Sequence, residues 1–156
     1  MLKIYVNYKT GPEIIPPDQI ELLVSEIFRV AELTCRGELG ITMVGDEEMA
    51  ALNEQYRNMK GTTDILSFPQ DEGYEMPAPE DEGYLPLLGD IIISVPRAIQ
   101  QAEEYGHSPE KEFKILLIHG ILHIFGYDHK NVYQENFMRE EENSILSRLE
   151  ENEQAN

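Results

Sequence analysis

Apolar and polar residues alternate from the start of the chain. Leu2, Ile4, Val6 and Tyr8 stand between Lys3, Tyr5, Asn7 and Lys9, the period-two pattern of a half-buried strand. The period then lengthens. Ile20, Leu23, Val24, Ile27 and Ala31 fall at helical spacing behind Pro16-Pro17-Asp18, with Asp18 a candidate cap and Glu21 three residues later. Leu39 to Val44 reads as a second strand. Asp46 is expected to cap a second helix whose first turn holds Glu47 and Glu48, favourable at the positive end of the helix dipole. Ile65–Phe68 and Leu88–Val95 read as two more strands. Helices follow over Pro96–Tyr105, Pro109–Phe125 and Val132–Glu150, the last fraying into a polar tail at 151–156.

The order β-α-β-α-β-β-α-α-α predicts an α+β fold: one domain over residues 1–150, with a roughly four-stranded mixed sheet and about five helices. Strands joined through a helix are expected to run parallel. The third and fourth are joined by the acidic segment 70–86 and can pair antiparallel. That connection exceeds the ~12–15 residues usual for a structureless loop, so it is either a lid or an insert, and its composition favours an insert. No internal repeat is visible.

Composition narrows the class. A length of 156 residues with 41% apolar content suits one globular core. No apolar run approaches the ~18 residues that span a bilayer, and Met1–Tyr8 lacks a signal-peptide core, so the expected location is cytoplasmic, with no membrane partner. Cys35 is the lone cysteine, which excludes an intrachain disulfide or a cysteine-built zinc knot. Thirty acidic against twelve basic residues give a net charge of −18, the wrong sign for a generic nucleic-acid binder. Much of the excess is local. Asp71, Glu72, Glu75, Glu80, Asp81 and Glu82 share one segment without a basic residue, and Glu140–Glu153 holds six acids against Arg148. Any nucleic-acid site is therefore expected to be a local basic pocket.

The chemistry concentrates in His119–His129, which reads H-G-I-L-H-I-F-G-Y-D-H. Ser108-Pro109-Glu110 is a strong helix start, and the helix behind it is apolar nearly all round, hence buried. His119 and His123 lie four apart on one face, with Cβ atoms ~5–6 Å from each other. Gly126 can take the left-handed conformation that ends the helix, and His129 can then turn back as a third ligand. A lone imidazole on an apolar helix is usually a satisfied core residue. Three of the chain's four histidines within eleven residues are better explained by one bound ion, which relieves the cost of burying them. His107, after Gly106, reads as a loop residue.

Three imidazoles leave a tetrahedral ion one open position, the catalytic rather than the structural arrangement. Zn2+, one per chain, is the expected cofactor, although the same donors suit nickel, cobalt or copper. The H-x-x-x-H-x-x-G-x-x-H spacing is shared with metzincin proteases, but their general-base glutamate follows the first histidine, and here that position is Gly120.

At this point the sequence resembles the YbeY-type bacterial endoribonucleases, also called rRNA maturation factors. Their signature H-G-x-L-H-L-x-G-Y-D-H is matched from His119 to His129 except at Ile124. Leu52-Asn53, Tyr56-Arg57, Thr63 to Pro69, Leu88-Gly89-Asp90-Ile91, and Met138 with Glu142, Ile145 and Leu146 extend the match over about Asp46–Leu146. Thr62 replaces a usual proline, and the acidic segment looks enlarged. The resemblance implies a metal-dependent endoribonuclease specific for single strands. It implies action on pre-rRNA at the 3′ end of the small-subunit RNA and in ribosome quality control. Zinc on His119, His123 and His129, and an active arginine at Arg57, are likewise implied. Single-stranded RNA, the small ribosomal subunit and its assembly factors are the implied partners, and DNA is not.

The expected catalytic groups are therefore Arg57 and His119, with Asp128 and Glu142 in second place. Each has a plainer reading. Arg57 at a helix C-terminus can merely complement the dipole. Asp128 after Gly-Tyr can be a turn former. Glu142 shares a helical face with Met138, Ile145 and Leu149, where an unpaired carboxylate is costly. It then pairs with an imidazole, with Arg57, or in a rim salt bridge. Two other functions stand beside the nuclease: a zincin-like hydrolase of peptides, weakened by Gly120, and a non-catalytic ribosome-associated factor with a structural metal.

Overall fold

The computed structural model describes residues 1–70, 85–128 and 130–155, so most of the acidic segment and His129 lie outside the described residues. Among the described residues nine elements follow in chain order: β1 (Leu2–Tyr8), α1 (Pro17–Val30), β2 (Gly37–Val44), α2 (Asp46–Arg57), β3 (Ile65–Pro69), β4 (Leu87–Ser94), α3 (Val95–Tyr105), α4 (Pro109–Ile124) and α5 (Val132–Ala155). The expected α+β domain, with four strands and five helices, is what forms.

The sheet order is β1-β2-β4-β3. β1 and β2 run parallel, as a helical crossover dictates, and β4 joins parallel to β2 with Ile41 opposite Ile91. β3 pairs antiparallel with β4, Leu66 opposite Ile92. One expectation fails here. β2 and β3 are joined through α2 yet run in opposite directions and are not neighbours, because β4 lies between them. The composition of the two strands explains the placement. Ile91-Ile92-Ile93 in β4 suits a central strand covered on both faces, whereas the short β3 ends in Pro69, which lacks an N–H and belongs at an edge.

Leu39, Ile41, Met43, Ile91 and Ile93 form one fully buried face of the sheet. Ile20, Val24 and Ile27 of α1, together with Phe113, Leu117 and Ile121 of α4, belong to the same core. The opposite face is covered over Val44 and Leu66 by Met49 of α2. α5 closes the α4 side with buried Met138, Ile145 and Leu149. Burying side chains of this size stabilises by ~1.5–3 kcal/mol each before conformational entropy is charged against it.

Several boundaries differ from the sequence reading. α1 is capped by Pro16 with no side-chain bond, so Asp18 is inside the helix rather than its cap. Asp46 likewise begins α2 behind Gly45, and its carboxylate instead accepts a hydrogen bond at 2.9 Å from the buried Ser94 hydroxyl. Ser108 caps α4 as expected, accepting from the Lys111 N–H at 3.1 Å. α5 does not fray near Glu150 but continues to Ala155. Asn152 donates to Glu26 at 2.8 Å and Lys114 pairs with Glu153, ties across 126 and 39 residues that local periodicity does not reveal.

Candidate functional site

α4 owes its end to Gly126. At φ +95° this residue occupies the left-handed region, where a side chain is strained. Its N–H bonds to the His123 carbonyl at 3.1 Å, and the Tyr127 N–H reaches back to Leu122 at 3.0 Å. The helix therefore stops just after His123 and the chain turns outward, as the motif predicted. On the last turns the rings of His119 and His123 face each other edge to face, 5.8 Å between centroids.

Across from them, α5 supplies Glu142. Its Oε1 lies 2.7 Å from His119 Nδ1, with the two side chains 22% and 30% exposed. Of the partners open to this carboxylate, the structure selects the imidazole. A neutral His119 donating Nδ1–H to Glu142 carries its lone pair on Nε2, the tautomer and orientation that carboxylates impose on metal-binding histidines. Two imidazoles on one helical face, one of them set by a carboxylate, are the donor chemistry of a histidine zinc site. The third expected donor, His129, lies outside the described residues, and no cluster of three possible ligands occurs among the described ones.

The histidines open on two depressions. One, of about 230 Å³, is lined by His119, Glu142, Met138, Glu135 and Arg139. The other, of about 430 Å³, is lined by His123, Gly126, Tyr127 and Asp128 with Pro69 and Gln70 from the end of β3. Asp128 thus shares a cleft with His123, and Lys130 approaches its carboxylate to 3.6 Å.

Arg57 is placed differently. It is exposed in the last turn of α2, and among the described residues no hydrogen bond or ion pair joins it to a histidine. Its neighbour Tyr56 rests edge-on against Phe68, 5.2 Å between centroids, and β3 runs from Phe68 into the residues that line the His123 cleft. The arginine is therefore one aromatic contact away from the strand that reaches the site.

Gly120 explains itself in the folded chain. A Cβ there would lie 3.0 Å from Ile65 and 3.1 Å from Ile91, so the position after His119 faces the sheet, not the cleft. A protease-type glutamate has no room at that point. Other features escaped the sequence reading. His107 is in a loop as expected, but its ring contacts the buried Glu112 at 2.5 Å. Arg139, which no sequence motif singled out, borders His119. A carboxylate on an otherwise buried helix face is the one signal that could have found Glu112. Cys35 is not a candidate nucleophile, since burial pushes its thiol pKa up.

Comparison with known proteins supplies the context. A family model described as "Endoribonuclease YbeY" matches residues 6–150. Among similar proteins bearing that name, one from Desulforamulus reducens is 47% identical over 112 residues, covering 72% of each chain. One from Geobacillus sp. is 40% identical over 130 residues, 83% of each chain. A third, from Thermoanaerobacter sp., is 36% identical over 135 residues, 83% of this chain and 85% of that one. The solution structure of a Thermotoga maritima protein overlaps 97% of this chain and 93% of its own with TM-score 0.57 at 21% identity, which shows the shared fold.

Proposed function

Because this chain belongs to the YbeY endoribonuclease family, we propose that it cleaves single-stranded RNA at the cleft formed by His119, His123 and Glu142. The observation that carries the reading is the Glu142 carboxylate on His119 Nδ1 at 2.7 Å. It gives a buried-face acid a purpose and a histidine a fixed orientation. In this reading His119, His123 and His129 hold one zinc-like ion. Such an ion supplies Lewis acidity toward a phosphate oxygen and acidifies water in the cleft.

The chain's own groups do the rest. Glu142, 2.7 Å from His119 Nδ1, fixes the orientation of the His119 ring. Arg57 offers a fork of N–H donors that suits the non-bridging oxygens of a phosphate whose charge grows in the transition state. Asp128 sits in the His123 cleft, where a carboxylate can orient or receive a proton. The substrate is proposed to be pre-rRNA, cut near the 3′ end of the small-subunit RNA, with the small ribosomal subunit and its assembly factors as partners in the cytoplasm. No described helix is long and apolar enough to cross a membrane.

Peptide hydrolysis is disfavoured by the packing of Gly120 against Ile65 and Ile91. The test offers purified protein a single-stranded RNA, its duplex and an unstructured peptide. Cleavage of the single strand alone is expected. Peptide cleavage, or RNA binding without any cleavage, would overturn the proposal.

A further inference from the structure

A chain of net charge −18 must hold a polyanion, and two of the cations beside its histidines, Lys130 and Arg139, are already partnered. Lys130 stands 3.6 Å from Asp128, and Arg139 is bonded to Glu135 at 3.0 Å. Phosphate contacts release counterions and bind tightly only where positive charge is available. Beyond Arg57 little is available here, so most of the affinity must come from an interaction indifferent to charge.

The structure offers one beside the histidines. Phe137 of α5 is 56% exposed and lies parallel to Tyr127, 5.7 Å between ring centroids with 6° between planes. Tyr127 lies parallel to the Phe137 ring and offset from it, and more than half of Phe137 remains exposed. The pair lines a depression of about 280 Å³ together with Gly126, Asp128 and Gln134. Gly126, Tyr127 and Asp128 also line the His123 cleft, so the aromatic depression and the histidine site are continuous. Tyr133, one turn before Phe137 on α5, is 87% exposed and extends the aromatic surface. An exposed ring on a rigid helix, backed by a second ring, is what an unpaired base stacks on in proteins that bind single strands.

We infer that a nucleobase next to the reacting phosphate stacks on the exposed ring of Phe137, and that this contact contributes more to holding the RNA than phosphate charge does. The inference rests on the RNA-cleaving reading, yet it concerns binding and can be separated from turnover.

The experiment measures binding of a short single-stranded oligouridylate carrying one 2-aminopurine, which stacks little on uridine neighbours and whose fluorescence is quenched by stacking, over a range of salt. Turnover of the same RNA is followed in parallel. The wild type is expected to quench the probe and to show a shallow salt slope, no steeper than about −1.5 on a log–log plot, the value for roughly two phosphate contacts. Phe137→Ala should weaken binding roughly ten- to hundredfold, abolish the quench and raise KM while leaving kcat nearly unchanged. Phe137→Trp should restore both binding and quenching, which a purely structural role for Phe137 would not require. Wild-type affinity in Phe137→Ala, a salt slope of about −3 or steeper, or absence of RNA binding would each overturn the inference. A wild type that binds and quenches but never cuts would support the stacking site and remove the nuclease reading instead.

Discussion

The two arms of the proposed site are held in opposite ways. The histidine arm is built into the core: α4 is anchored by buried Leu117, Ile118, Ile121 and Leu122, and α5 delivers Glu142 onto His119 at 2.7 Å. The arginine arm is a surface feature, with Arg57 in the exposed last turn of α2 and its nearest tie to the site an edge contact between Tyr56 and Phe68. The difference separates two tasks. Groups that must converge on one small ion need their geometry fixed before anything binds, so folding itself orders them. A group that meets a phosphate only when RNA arrives can remain solvated until then.

The largest expected effect breaks the fixed arm. Replacing His119 and His123 together by Ala should remove the bound metal and bring RNA cleavage below detection, read by elemental analysis and a gel assay on the same preparation. Full metal retention in that double variant would refute the histidine assignment. Arg57→Ala addresses the exposed arm. It should lower kcat by ~10²–10³ through loss of a donor to the growing phosphate charge, with metal content and melting temperature unchanged. A merely dipole-complementing arginine would leave turnover nearly intact. The smallest effect sharpens the contrast: Glu142→Ala should weaken metal affinity by ~10- to 100-fold, measured by competition with a chelator, whereas Arg57→Ala should not move it. Equal metal affinity in both variants would erase the distinction between the arms.

The helix carrying the histidines was legible in the sequence because every signal that defines it is local. Ser108 and Pro109 start it, the four-residue interval sets the shared face, and Gly126 ends it at φ +95°. What the sequence left open was long-range. Glu142 could pair with an imidazole, with Arg57 or at the rim, and only the packing of α5 on α4, across 23 residues, selects His119. The direction of β3 was missed for a related reason, since the pairing of β4 with β2 is decided by which strand can be buried on both faces rather than by connectivity. Phe137 was missed because an exposed aromatic on a mostly polar helix carries no periodic signal, and its meaning depends on the Tyr127 ring brought against it by the turn. The match to the family pattern supplied Arg57, which neither helical position nor contact in the fold would have singled out.

The central claim is that an ion on the histidine arm is required for cutting RNA. Its most direct test follows cleavage of a single-stranded RNA by the purified wild-type chain as isolated, after chelation, and after zinc is restored, with metal content measured at each stage. The account predicts about one zinc per chain as isolated, loss of cleavage in step with loss of metal, and recovery on reloading. Undiminished cleavage by metal-free protein would contradict it.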